Sequence, residues 1–130
     1  MTESEAVTRG IRVHVKARYV PERSRPSHSR WFFEYNICIA NESGDTVQLL
    51  TRHWIITDAS GSVQEVRGPG VVGEQPVLAP GHVFEYNSFC PLETSFGTMR
   101  GTYQMVVVGG QDRFDAEIAT FALGEPYSIN

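Results

Sequence analysis

Apolar and polar residues alternate with period two along most of this chain, which predicts β-strands rather than helices. The segment 11–19 is the clearest case: its odd-numbered residues are apolar or aromatic, and its even-numbered residues are Arg, His, Lys and Arg. Such a strand buries one face and exposes the other. No segment sustains the 3.6-residue period of a helix, so the pattern predicts an all-β protein.

Further strands are predicted at 31–39, 46–58, 62–67, 83–89, 99–107 and 114–123. Gly, Pro, Asn and Asp separate them every 8–12 residues, which is typical of an antiparallel β-sandwich of about seven strands. We expect the largest aromatic side chains to be buried between the two sheets. They are Trp31, Trp54, Phe84, Tyr86 and Tyr103.

Three details of this sandwich follow from local pattern. The turn residues Asn41–Asp45 predict a hairpin between the strands on either side. The strand at 46–58 is apolar on both faces, which indicates a central strand or one whose outer face is covered. Near Ala119 and Thr120 the alternation slips by one residue, which predicts a β-bulge.

Length and composition limit the class of protein. With 130 residues the chain fits one domain, predicted at 10–130 after a flexible tail at 1–9. A net charge of −4 makes nucleic-acid binding unexpected, and no apolar run approaches the ~18 residues of a membrane span. Cys38 and Cys90 lie far apart and no signal-peptide core precedes them, so we expect reduced thiols in the cytoplasm.

The segment 65–76, EVRGPGVVGEQP, holds the main candidate site. Its glycines have the G-x-G-x-x-G spacing of a dinucleotide-binding loop, but the prolines that follow leave no room for the helix that such a loop requires. Three interpretations stay open: a loop shaped by its glycines, a protein-binding loop, or a phosphate site made of backbone N–H groups. The candidate residues are Arg67, Gly68, Gly70, Val71, Val72 and Gly73.

Other side chains give weaker signals. Arg52 and His53 lie within one predicted strand, where a structural role for the arginine is favoured. The four histidines are scattered, so no metal site or cofactor is predicted, and no sequence motif identifies a nucleophile. The loop at 18–30 is locally basic, which suits a solvated loop, an acidic partner or an RNA backbone.

Four segments closely resemble the bacterial ApaG family. They are RHWIITD at 52–58, EVRGPGVVGEQP at 65–76, PGHVFEYNS at 80–88 and PLETSFGTMRGTYQM at 91–105. The resemblance extends from about Thr8 to the end of the chain. It implies a fibronectin type III or immunoglobulin-like β-sandwich, in agreement with the alternation, and no established enzymatic activity.

The same resemblance implies two kinds of binding. Family members lie beside a diadenosine-polyphosphate hydrolase gene, and the glycine motif has been proposed as a pyrophosphate site, which matches Gly68, Gly70 and Gly73 here. Related domains in eukaryotic proteins resemble interaction modules, and one family name records a link to magnesium and cobalt. We therefore expect a non-catalytic domain that binds a protein partner, associated with magnesium and cobalt homeostasis. The alternative is binding of a nucleotide or pyrophosphate, such as a diadenosine polyphosphate.

Overall fold

The alternating segments form nine β-strands within residues 1–125, the part of the chain that this computed structural model describes. The strands are β1 (Thr2–Thr8), β2 (Ile11–Tyr19), β3 (Trp31–Asn41), β4 (Val47–Asp58), β5 (Val63–Pro69), β6 (Val77–Leu78), β7 (Val83–Leu92), β8 (Phe96–Val107) and β9 (Arg113–Gly124). Two single-turn 3₁₀ helices, Pro21–Arg23 and Pro26–His28, lie between β2 and β3. Within these residues no helix is both long and apolar enough to span a membrane.

The strands form two antiparallel sheets that pack face to face, which confirms the predicted all-β sandwich. Sheet 1 has the order β1-β2-β3-β7. Sheet 2 has the order β5-β4-β8-β9, and the short β6 also pairs with β4. The two strands in excess of the predicted seven are the short β6 and the N-terminal β1.

Alternate residues of the strands fill the space between the sheets. Of the five aromatic residues predicted to be buried, Trp54, Tyr86 and Tyr103 are buried, while Trp31 and Phe84 are only partly buried at the margin of the core. Both cysteine thiols are free. Burial raises the pKa of the Cys90 thiol to about 12, so this side chain behaves as a small apolar core residue.

The prediction of a flexible tail at 1–9 is wrong, because β1 pairs with β2 along its whole length. The hydroxyl groups of Thr2 and Ser4 donate to the Ala122 and Ala119 carbonyls of β9, and the Glu117 N–H donates to Thr8. The side-chain hydroxyls of β1 thus satisfy the outer edge of β9 and close this side of the sandwich. We call it the closed side, formed by β1 and β9.

The predicted hairpin across Asn41–Asp45 is also wrong, since β3 and β4 belong to different sheets. The segment instead carries the chain from sheet 1 to sheet 2. The buried Asn41 side chain holds this crossing, because its amide donates to the carbonyls of Asp45 and Leu78 and its oxygen accepts from Ser43. The sequence predicts a turn here correctly. It does not distinguish a turn that joins two sheets from a hairpin turn within one sheet, because both have the same composition.

A β-bulge explains why β4 is apolar on both faces. The register against β8 shifts between Leu49 and Thr51, so Leu50 is an extra residue. Before the bulge Leu49 faces the core, and after it Trp54 does. Of the two predicted alternatives, the first is confirmed, because β4 is a central strand of sheet 2, between β5 and β8. The bulge predicted at Ala119–Thr120 is confirmed, since Met99 pairs with Phe121 and Gly101 with Ile118.

Candidate functional site

The six predicted site residues do not form one loop. Arg67 and Gly68 belong to β5, whereas Gly70, Val71, Val72 and Gly73 form the turn that follows it. Val71, although one of the candidate residues, is only 1% exposed and its side chain is part of the core. Val72, by contrast, is 58% exposed.

The turn at 71–74 closes on itself through two backbone hydrogen bonds. Val71 N–H donates to the Glu74 carbonyl at 2.8 Å, and Glu74 N–H donates to the Val71 carbonyl at 2.9 Å. The two central residues both have positive φ, 42° at Val72 and 82° at Gly73. Because positive φ is unfavourable for a β-branched side chain, the turn holds Val72 outward at a local cost in conformational energy.

Gly70 fixes the turn against β4. Its φ is 59°, and a Cβ added here would lie 2.1 Å from the Glu74 carbonyl oxygen, so no other residue fits without movement. Its N–H donates to the carbonyl of Leu50, the bulged residue of β4, at 2.9 Å, and the Gln75 amide donates to the same carbonyl. The turn and the bulge are therefore parts of one structure.

Arg52 supports the same turn from below. One guanidinium nitrogen donates to the carbonyls of Pro69 and Gly70, at 2.9 Å each. The guanidinium also lies against Gly68, where an added Cβ would be 3.0 Å from it. These contacts confirm the structural role that the sequence favours for Arg52. Its partners are backbone carbonyls.

Beneath Arg52 lies a pair of buried tyrosines that joins the two sheets. The hydroxyls of Tyr86 in β7 and Tyr103 in β8 form a hydrogen bond with each other. Burial raises the pKa of both phenols far above their usual value, and the nearby Arg52 lowers them only partly. Both groups are therefore neutral at physiological pH, as a structural contact between sheets requires.

This arrangement leaves few hydrogen-bond donors for a phosphate group. The N–H groups of Gly70, Val71 and Glu74 already donate to protein carbonyls, and Pro69 has none. The Arg67 side chain is well exposed, and its guanidinium lies 3.7 Å from the Glu65 carboxylate. The segment is therefore a braced turn in which three backbone N–H groups are already bonded within the protein, which leaves fewer donors for a phosphate cradle.

An open groove lies next to the turn, on the side of the sandwich opposite to β1 and β9. We call this the open side, formed by β5, β6 and β7. The groove has a volume of about 810 Å³ and runs between residues 74–78 and residues 81–84. Val77 and Val83, each more than half exposed, form its apolar rim. Exposed apolar side chains grouped around a groove are typical of binding surfaces.

Val77 and Val83 were not predicted as site residues. In the sequence each lies in or beside an apolar strand, where burial is the ordinary expectation. The missed signal was the shortness of the Val77-Leu78 strand between two prolines, which cannot cover both of its faces.

Other candidate groups are occupied by structural contacts. On the outer face of sheet 2, His53 Nε2 lies 2.8 Å from the Glu65 carboxylate. In the basic loop, the Arg23 guanidinium lies over the rings of Phe32 and Phe89, at 4.2 and 5.1 Å from their centroids. Among residues 1–125, no group of three or more His, Cys, Asp or Glu side chains is placed to hold a metal ion.

Comparison with known proteins identifies relatives along nearly the whole chain. The family model described as the ApaG domain matches residues 21–107. Protein ApaG of Bradyrhizobium diazoefficiens is 56% identical over 93% of this chain and 92% of its own, and that of Methylorubrum populi is 53% identical over 95% and 94%. A crystal structure of a Bordetella pertussis protein described as ApaA superimposes with a TM-score of 0.86, at 52% identity over 89% of this chain and 94% of that one.

Proposed function

Because the chain belongs to the ApaG domain family, whose members' names state no activity, we propose that it is a non-catalytic domain that binds another protein. The binding surface is the open side of the sandwich, at the Val72 turn and the adjoining groove. This binding takes place in the cytoplasm, and the two free thiols support that location. We associate this binding with magnesium and cobalt homeostasis.

The observation that carries the proposal is the position of Val72. Two backbone hydrogen bonds and the contacts of Arg52 and Gly70 brace a turn whose tip is an exposed valine with positive φ. A rigid turn that presents an apolar side chain loses little conformational entropy on binding. A partner that covers the turn and the groove would remove their apolar surface from water, which favours association.

The competing proposal is binding of a nucleotide or pyrophosphate, such as a diadenosine polyphosphate, at the same segment. The turn's internal hydrogen bonds count against it. So does the surrounding charge, since Glu65 lies beside Arg67 and Glu74 belongs to the turn itself. A phosphate would approach two carboxylates to reach one exposed arginine.

Replacing Val72 and Val77 together by aspartate should abolish capture of the partner protein from a lysate of the source bacterium. Each change places a charge on surface that becomes buried, so we expect at least a tenfold loss of captured protein, measured by quantitative mass spectrometry. Neither residue belongs to the core, so the variant should remain folded.

The matched control replaces Val7 and Val108 together by aspartate. Both valines are about half exposed; Val7 lies on the closed side, and Val108 lies at the turn between β8 and β9. This variant should capture the same protein as the unmodified chain. If no captured protein depends on Val72 and Val77, or if the control removes it equally, the proposed binding surface is wrong.

A further inference from the structure

The outer edge of β7 is open within residues 1–125, because β7 lies at the end of sheet 1 and pairs there only with β3. The position of its free backbone groups follows from the register. Asn41 N–H donates to the His82 carbonyl at 2.9 Å, which marks a hydrogen-bonded pair. In an antiparallel pair such positions alternate, so Phe84, Tyr86 and Ser88 bond to β3.

The remaining residues of β7 direct their N–H and C=O groups away from β3, towards solvent. They are Val83, Glu85, Asn87 and Phe89, followed by Pro91, which has no N–H. Their side chains are exposed on the outer face of sheet 1. Seven residues, 83–89, therefore offer a continuous row of unpaired donors and acceptors, the template for an added strand.

Both edges of sheet 2 are protected. Side chains of β1 satisfy the edge of β9, as described above. The edge strand β5 is shorter, carries Glu65 and Arg67, and ends at Pro69. Charged side chains and proline are the usual devices that prevent an edge from pairing. Over residues 83–90, β7 has neither proline nor a cationic residue, and Glu85 is its only charge.

The surroundings of β7 define what would fit. A strand added to this edge alternates its side chains between two faces. One set would point between the sheets, into the groove whose walls include Val77, Leu78 and Phe84. The other set would lie on the outer face beside Glu85, which forms no ion pair within residues 1–125.

We propose that β7 receives an extended segment of the partner protein as a fifth strand of sheet 1. The segment has apolar residues at every second position, facing the groove, and a lysine or arginine opposite Glu85. A second copy of this chain fits less well, because its β7 contains no Lys, Arg or His to face Glu85. This inference rests on the proposed function and specifies how the partner binds.

Selection of random 12-residue peptides displayed on phage, with the full chain as bait, tests this mode of binding. We expect enriched peptides to alternate apolar residues with polar ones and to contain Lys or Arg. Their affinity, measured by fluorescence anisotropy, should fall at least tenfold with Glu85→Lys, which reverses the charge at an exposed site. Asp115→Lys makes the same change on the exposed face of β9 and should leave the affinity unchanged.

A second pair of variants isolates the backbone of β7. Asn87→Pro removes an N–H from the open edge, and we expect at least a tenfold loss of peptide affinity. It also removes the side-chain hydrogen bond between Asn36 and Asn87. Asn87→Ala removes that bond but keeps the N–H, so the alanine variant should bind the peptide like the unmodified chain.

Amide hydrogen exchange, followed by NMR on the full chain, gives the most specific signature. Saturating peptide should slow exchange at Glu85, Asn87 and Phe89 at least tenfold. The amides of Phe84 and Tyr86, already bonded to β3, should change little. Alternating protection along one strand is expected from strand addition and not from binding at a turn.

Three results would overturn the inference. Peptides that bind equally to the Glu85→Lys and Asn87→Pro variants, but not to the Val72 and Val77 double variant, would exclude strand addition while the proposed function stands. Strand addition would also be excluded if the selection gave no peptide that prefers the unmodified chain to the Asn87→Pro variant. Self-association in sedimentation equilibrium, with the same alternating protection, would make a second copy the occupant instead.

Discussion

Replacing Trp54 by alanine should lower the free energy of unfolding by about 3–5 kcal/mol, the usual cost of truncating a large buried aromatic side chain. Trp54 is 3% exposed and lies at the centre of the core. Its ring contacts Tyr35 of sheet 1 at 5.6 Å between centroids, and Phe121 of sheet 2 at 5.9 Å. The cavity left by the substitution would therefore remove contacts between the two sheets. Urea denaturation of the two proteins measures the difference.

Trp31 provides the matched comparison within the same chain. It is only partly buried at the margin of the core, and its indole N–H donates to the Glu125 carboxylate at 3.0 Å. Trp31→Ala should cost clearly less than Trp54→Ala, because less apolar surface is lost from the core. Equal costs, or an unchanged denaturation midpoint for Trp54→Ala, would contradict the packing described here.

Replacing Gly70 by alanine should destabilise the protein by about 3 kcal/mol, the sum of a left-handed backbone and an overlap that the structure must relieve. Its φ is 59°, and the new methyl group would lie 2.1 Å from the Glu74 carbonyl oxygen. Relief of that overlap would disturb the hydrogen bond between Gly70 and Leu50, and with it the bulge of β4. Thermal or urea denaturation measures the loss.

A substitution at Gly73 separates the cost of the left-handed backbone from the cost of the overlap. Its φ of 82° is equally left-handed, but no atom lies within 4 Å of the position of an added Cβ. Gly73→Ala should therefore cost only about 1 kcal/mol, from backbone strain alone. If the two variants lose the same stability, the close packing of Gly70 against Glu74 does not hold the turn, and the account of the loop is wrong.

The strands were predictable because burial on one face imposes a period of two on the sequence. The segment 11–19 shows this directly, and β2 begins and ends at the predicted residues. The slip at Ala119–Thr120 was visible for the same reason, since one extra residue shifts that period. The strand β1 was missed because Thr2, Ser4 and Thr8 face β9 with hydroxyl groups. Hydrophobic alternation does not detect a strand held in this way.

The candidate site was predicted as one segment and found as two elements with different environments. Val71 and Val72 are adjacent in the sequence, but Val71 is buried in the core, whereas Val72, which has positive φ, is exposed at the tip of the turn. The role of Arg52 could not be located from the sequence either. Its contacts with Pro69 and Gly70 depend on the bulge at Leu50, which the double-sided apolar pattern of β4 concealed.

The central claim is that the glycine segment is a braced turn on a protein-binding surface and not a phosphate site. Calorimetric titration of the unmodified chain with pyrophosphate, ATP and diadenosine tetraphosphate tests it most directly. We expect millimolar binding or none, because the N–H groups of Gly70, Val71 and Glu74 are already bonded within the protein and two carboxylates lie nearby. Micromolar binding that weakens with salt and disappears in Arg67→Ala would contradict it and identify the turn as a phosphate site.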